Sequence, residues 1–138
     1  MTISVDCTTN LGAMFSGSAS LTFDAIHDLD SSLAAIAGNY DDEGSTLTVS
    51  GDGAIFEQDP VTECVLSGQL SVIDPNVNVY AVTTSVDNCV ELDAVFNGST
   101  FEGLAILDTD ADPDELVFAV TGEVDGETIA VLLIVTAI

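Results

Sequence analysis

The chain has 138 residues, with 24 Asp and Glu, no Lys or Arg, and a formal net charge of -24. Nucleic-acid binding is excluded from the expected functions, because phosphate neutralisation needs basic side chains, and anionic membrane surfaces repel such a protein. Any partner held by charge is a cation, a basic protein, or a second copy of the chain with its carboxylates screened by salt.

The length suits a single domain, residues 1–138, with an apolar content of 47%, ample for a core. The first part, residues 1–23, is rich in Thr, Ser, Ala and Gly. Thr2, Ile3, Ser4, Val5, Asp6 and Cys7 alternate as a strand does, and residues 18–23 suggest a second. No basic region precedes an apolar stretch here, so the chain reads as a mature form rather than one that opens on a leader.

Residues 24–37 are the one helical prospect. Asp24 can cap the segment, Ile26, Leu29, Leu33 and Ile36 fall on one face, and Gly38 can end it.

From Asn39 onward the pattern is β, punctuated by turn residues. Strands at 46–49 and 54–57 flank Ser50-Gly51-Asp52-Gly53, a hairpin signal. Strands at 63–73 and 77–86 flank Asp74-Pro75-Asn76, and Asn97-Gly98 marks a tight turn. Strands at 100–107 and 115–121 flank an acidic loop, and a last strand at 127–137 follows Val124-Asp125-Gly126. The expected fold is all-β: an antiparallel β-sandwich or small flattened barrel of about eight strands, with one short N-terminal helix. The apolar run 129–135 is too short for a membrane-spanning helix.

A hairpin centred on Asn76-Val77 sets Val72 opposite Ala81, Leu70 opposite Thr83, and Cys64 opposite Cys89. Opposed residues on antiparallel strands lie within disulfide reach, so this register predicts a Cys64–Cys89 staple. Two free buried thiols are the alternative. A disulfide favours an oxidising compartment, hence an extracellular or cell-surface, exported protein. Cys7 is then left over: buried, removed by processing, or paired with another molecule.

Asp108, Asp110, Asp112, Asp114 and Glu115 place alternating carboxylates on one loop, the hard oxygen donors that calcium takes. The glycine that sharpens an EF-hand loop is missing, and a solvated acidic hairpin loop explains the same residues. Asp41, Asp42 and Glu43 read as surface. His27, the only histidine, sits among Asp24, Asp28 and Asp30 without a second histidine for zinc or an elbow serine for nucleophilic catalysis. Asn97-Gly98-Ser99 fits a glycosylation sequon but reads better as a turn. With so many acids, carboxylate pairs of the glycosidase kind arise by chance, and no catalytic residue is assigned.

Several stretches carry a likeness: Ala37-Gly38-Asn39-Tyr40, Ser45-Thr46-Leu47-Thr48-Val49, Leu66-Ser67-Gly68-Gln69-Leu70-Ser71-Val72-Ile73-Asp74, and Asn78-Val79-Tyr80-Ala81-Val82. Asp87-Asn88-Cys89, Asn97-Gly98 and Gly103-Leu104-Ala105 continue it. Across these stretches the chain resembles the β-rich domains of small exported lipoproteins of gammaproteobacteria. The resemblance implies an exported antiparallel β domain with a Cys64–Cys89 bridge and carries over no active site. The chain departs from that pattern in lacking basic residues and in its extended apolar N-terminal region.

A half-exposed strand alternates apolar and polar residues. In 128–137 both faces are apolar: Ala130, Leu132 and Ile134 on one, Ile129, Val131, Leu133 and Val135 on the other. Residues 77–86 and 100–107 show milder versions. A surplus of apolar strand faces marks interfaces. The leading expectation is therefore an extracellular structural subunit that self-assembles into a homo-oligomer, filament, tube or layer. Ile129, Val131, Leu133 and Val135 supply the apolar interface, residues Thr2 to Cys7 a donated strand, and salt or calcium the screening. A monomeric cell-envelope or secreted binding domain is the alternative, and a hydrolase on neutral glycans the third.

Overall fold

The structure is a computed structural model that describes the backbone of residues 2–8 and 14–20, and residues 29–138 with their side chains. Within those bounds the chain forms ten strands and little helix. β1 (Thr2–Thr8) and β2 (Met14–Ser20) make a two-stranded antiparallel sheet. The remaining eight are β3 (Gly38–Asp42), β4 (Ser45–Val49), β5 (Ala54–Gln58), β6 (Val65–Val72), β7 (Tyr80–Asp87), β8 (Ser99–Asp108), β9 (Glu115–Val124) and β10 (Glu127–Ala137). Each pairs antiparallel with the next, and β10 returns to β3, closing the meander into a barrel. Of the two expected architectures the chain adopts the barrel, which leaves few free edges.

The side-chain parity is continuous around the wall. Tyr40 opposes Leu47, Val49 opposes Ile55, Leu70 opposes Val82, Ala105 opposes Phe118, and Leu116 opposes Val135. All of these are buried and belong to one core cluster. Gly68, Gly103 and Gly122 fall on this inward face, and a Cβ at any of them would collide with the backbone of the neighbouring strand. Their lack of a side chain lets the strands approach and coil tightly enough to close a small barrel.

One end of the barrel is plugged. α1 spans only Leu33–Ile36, capped by Ser32, whose Oγ accepts from Ala35 N at 3.2 Å. Ile36 is fully buried, and Tyr40 Oη donates to its carbonyl at 2.8 Å. The expected helix over 24–37 is thus cut to its last turn within the described residues; Asp24, Ile26, His27 and Asp28 lie outside them. The physical cause is tertiary. Ser31 N donates to Pro75 O at 3.0 Å, Ser31 Oγ to Asp74 O at 2.9 Å, and Ser32 is held extended by Tyr80. Those bonds hold the two serines against the barrel, so helix begins only at Leu33.

The β6–β7 hairpin is one residue out of the expected register: Val72 pairs with Tyr80 and Leu70 with Val82. The expected pairing set Leu70 against Thr83, an inward residue against an outward one. A one-residue slip moves a whole side-chain set to the other face, so burial selects the observed pairing. The connecting loop accommodates it through Asp74, whose carboxylate accepts from Asn76 N at 2.9 Å and whose carbonyl accepts from Val77 N at 3.2 Å.

Cys64 and Cys89 are nonetheless disulfide-bonded, with Sγ–Sγ 2.03 Å. Their meeting does not come from ladder register. The ladder stops at Val65 and Asp87, and the chain then turns through left-handed Glu63 (φ 58) and Asn88 (φ 63). A 3-10 helix, Glu91–Phe96, follows Cys89 and was not foreseen from the sequence. Asn97 ties the two together, its carboxamide accepting from Cys89 N at 2.7 Å and donating to Cys89 O at 3.0 Å.

Candidate functional site

The end of the barrel opposite α1 is hollow. An apolar cavity of about 220 Å³ is lined by Leu47, Ile55, Leu66, Phe101, Phe118 and Val120, with Val131 and Leu133 of β10 and Phe96 of the 3-10 helix around it. Among the described residues Thr84 is the only lining residue with a polar side-chain atom. An apolar cavity of roughly 150 Å³ already accommodates a benzene-sized molecule.

The cavity communicates with solvent. β10 pairs with β3 only at Thr136 and Ala137, although its ladder with β9 runs from Glu127 to Thr136. Val131 lies on the stretch without a β3 partner, lines the cavity, and is 38% exposed.

A polar rim adjoins this apolar floor. Glu57 shares the inward face with Ile55 and pairs with Leu66, a cavity-lining residue. It is only 7% exposed, and Ser45 Oγ donates to its carboxyl oxygen. Ser45 Oγ also lies 3.0 Å from the Asp42 carbonyl. Glu57, Asp59, Thr62, Cys64 and Asp93 surround a hollow of about 240 Å³ whose other walls, Leu66, Val86 and Phe96, are shared with the cavity. A second hollow, about 320 Å³, opens on the other side of Glu57 between Asp42, Glu43, Asp59 and Val61.

Burial is the first cause that raises the Glu57 carboxyl above its ordinary 4.5, the Ser45 hydroxyl opposes the rise, and the Asp42 charge adds to it. Asp42 is also raised, first by burial, with Glu43, Asp41 and Asp59 contributing and the hydrogen bond from Glu57 opposing. Both carboxyls are therefore held above their ordinary range, first by burial and then by the charges beside them. Asp59 is lowered, because its carboxylate accepts from Val61 N at 2.6 Å and Thr62 N at 3.1 Å.

Of the residues singled out from the sequence, Val131 and Leu133 fall in the cavity wall and Asp42 and Glu43 at its rim, and the others lie away from it. Ile129, Val131, Leu133 and Val135 face the barrel interior; Val135 is fully buried, and Val131 and Leu133 line the cavity. On the outer face of β10 the large apolar side chains are Leu132, 69% exposed, and Ile134, 51% exposed. Asp108, Asp110, Asp112, Asp114 and Glu115 form the β8–β9 connection, where Asp108 Oδ1 accepts from Asp110 N at 2.9 Å. Among the described residues no three His, Cys, Asp or Glu side chains converge to hold a metal ion. Thr2 to Cys7 lie on β1, paired within the chain from Thr2↔Ser20 to Cys7↔Phe15. No helix among the described residues is long and apolar enough to cross a membrane.

The fold and its hollow end define a class: a closed antiparallel meander barrel with an apolar interior site under an acidic rim. The chain matches no protein-family model, no curated protein and no solved structure.

Proposed function

We propose that the protein is an exported binding module that takes a small apolar molecule, or the apolar part of a larger one, into its barrel. The observation that carries this is the cavity beneath Phe96, walled by aliphatic and aromatic side chains and reached by solvent at Val131. Eight-stranded barrels are the size at which an interior holds one small ligand, and binding sites are typically apolar with a few polar groups at their margin. The Cys64–Cys89 bond, next to the 3-10 helix that supplies Phe96, fits an oxidising compartment. The test is titration of a neutral naphthylamine dye, followed by its fluorescence. Saturable one-to-one binding that is lost in Val120→Phe and in Val131→Trp, each adding bulk to the cavity wall, is the expected result. Dye fluorescence unchanged by the folded protein up to millimolar concentration contradicts it.

Self-assembly is the second reading, favoured by a different observation. Leu104 (50% exposed), Ala119 and Leu132 stand in register across the outside of β8, β9 and β10, with Ile106, Val117 and Ile134 beside them. This forms one adjoining apolar patch with no charge on it, where two copies can meet once salt or calcium screens their carboxylates. Light scattering with and without calcium tests it. Particles larger than a monomer that vanish in Leu132→Glu support it, and monomers under every ionic condition exclude it.

A further inference from the structure

We infer that the ligand of this cavity is a cationic amphiphile: an apolar chain or ring that occupies the barrel and carries an ammonium head at the Glu57 rim. The inference rests on the cavity being a binding site and adds the chemistry of what fills it.

Three features carry it. The apolar floor offers one hydroxyl, that of Thr84, so the buried part of a ligand must be apolar throughout, because an unpartnered polar atom there loses its hydration. The hollow that adjoins the cavity across Leu66, Val86 and Phe96 is lined by Glu57, Asp59 and Asp93. A head group that passes between those side chains from an apolar body in the cavity meets carboxyl groups. Finally, no Lys or Arg exists anywhere in the chain. A carboxylate or phosphate head would face Glu57, Asp59, Asp93, Asp42 and Glu43 with no Lys or Arg to offset them, whereas an ammonium is matched by them. Fatty acids are disfavoured by the same charges. A neutral alcohol gains the cavity but nothing from the rim.

The experiment uses the full chain and three probes of equal length: octylammonium, octanol and octanoate, each displacing the neutral naphthylamine dye at 0.5 M salt. That salt shortens the reach of the overall charge to a few ångströms, leaving the local rim as the main electrostatic difference between the probes. Octylammonium is expected to bind at least tenfold tighter than octanol, and octanoate weaker than octanol. Glu57→Gln should remove most of the octylammonium advantage and leave octanol unchanged. Glu102→Gln, which removes the same charge from the outer face of β8, should alter neither. Asp59→Asn in the same hollow provides an independent second variant, expected to weaken octylammonium alone. Equal affinity for octylammonium and octanol, or equal effects of Glu57→Gln and Glu102→Gln, overturns the cationic ligand while the cavity stands. Failure of the dye and of all three probes to bind overturns both.

Discussion

Tyr80 Oη lies between the two backbone groups of Ser32, accepting from its N–H at 3.1 Å and donating to its carbonyl at 3.2 Å. The ring is fully buried in the barrel, so one side chain joins the core to the segment that plugs its closed end. Burial is the first cause that raises the Tyr80 phenol above its ordinary 10.0, which keeps it protonated and able to donate.

Tyr80→Phe keeps the ring and removes only these bonds. Ser32 is solvent-exposed and recovers water, so the loss should be modest, about 1 kcal/mol. Urea unfolding should show that decrease, and amide exchange should quicken in α1 ahead of the barrel strands. Unchanged exchange in α1 would mean that Ile36 and the Ser31 bonds to Asp74 and Pro75 hold the plug without Tyr80.

Reducing the Cys64–Cys89 bond releases a loop with a sequence separation of 25. The chain-entropy account assigns such a crosslink about 3.5 kcal/mol. The Cys64→Ser/Cys89→Ser double variant should unfold at correspondingly lower urea. It should also bind the neutral dye more weakly, because the 3-10 helix bearing Phe96 follows Cys89 directly.

The rim carboxyls give a specific pH dependence. Glu57 and Asp42 are raised in the folded state, so the folded protein holds protons that the unfolded chain has released. Their contribution is fully present below the ordinary values, 4.5 for Glu57 and 3.8 for Asp42, and is lost as pH rises through the elevated folded values. Asp52, Asp59 and Asp74 act in the opposite sense: hydrogen bonds lower them, and their contribution is lost as pH falls below 3.8. Mutual repulsion among the other carboxylates also grows with pH. Stability should therefore fall from mildly acidic to neutral pH. Glu57→Gln should flatten that decline, while Glu102→Gln should not. Urea titrations at pH 4.5, 6 and 7.5 read the difference.

Much of the barrel wall was legible as alternation bounded by Gly, Asp and Asn. The last strand, expected at 127–137, is β10 as found. The choice between sandwich and closed barrel was not legible, because closure depends on β3, whose Gly38, Asn39, Asp41 and Asp42 are poor strand formers around a single buried Tyr40. The fate of β10's two apolar faces was hidden for the same reason: only a closed ring decides which of them turns inward. Glu57 was missed because the neighbouring Phe56 suggests the opposite parity, yet Phe56 is exposed and Glu57 buried. The signal was present one strand earlier: the Ser50–Gly53 turn sets Val49 opposite Ile55, which carries Glu57 to the inside two residues on. The cavity is a property of side chains brought together from seven strands and the 3-10 helix, and no local pattern records it.

The most direct test of the central claim is the heteronuclear NMR spectrum of the folded protein titrated with the neutral naphthylamine dye. The expected result is saturable shifts confined to Leu47, Ile55, Leu66, Phe118, Val131 and Leu133, with Leu104, Leu132 and Ile134 on the outer face unmoved. Shifts on the outer face alone, or none within the barrel at saturating dye, would contradict an interior binding site.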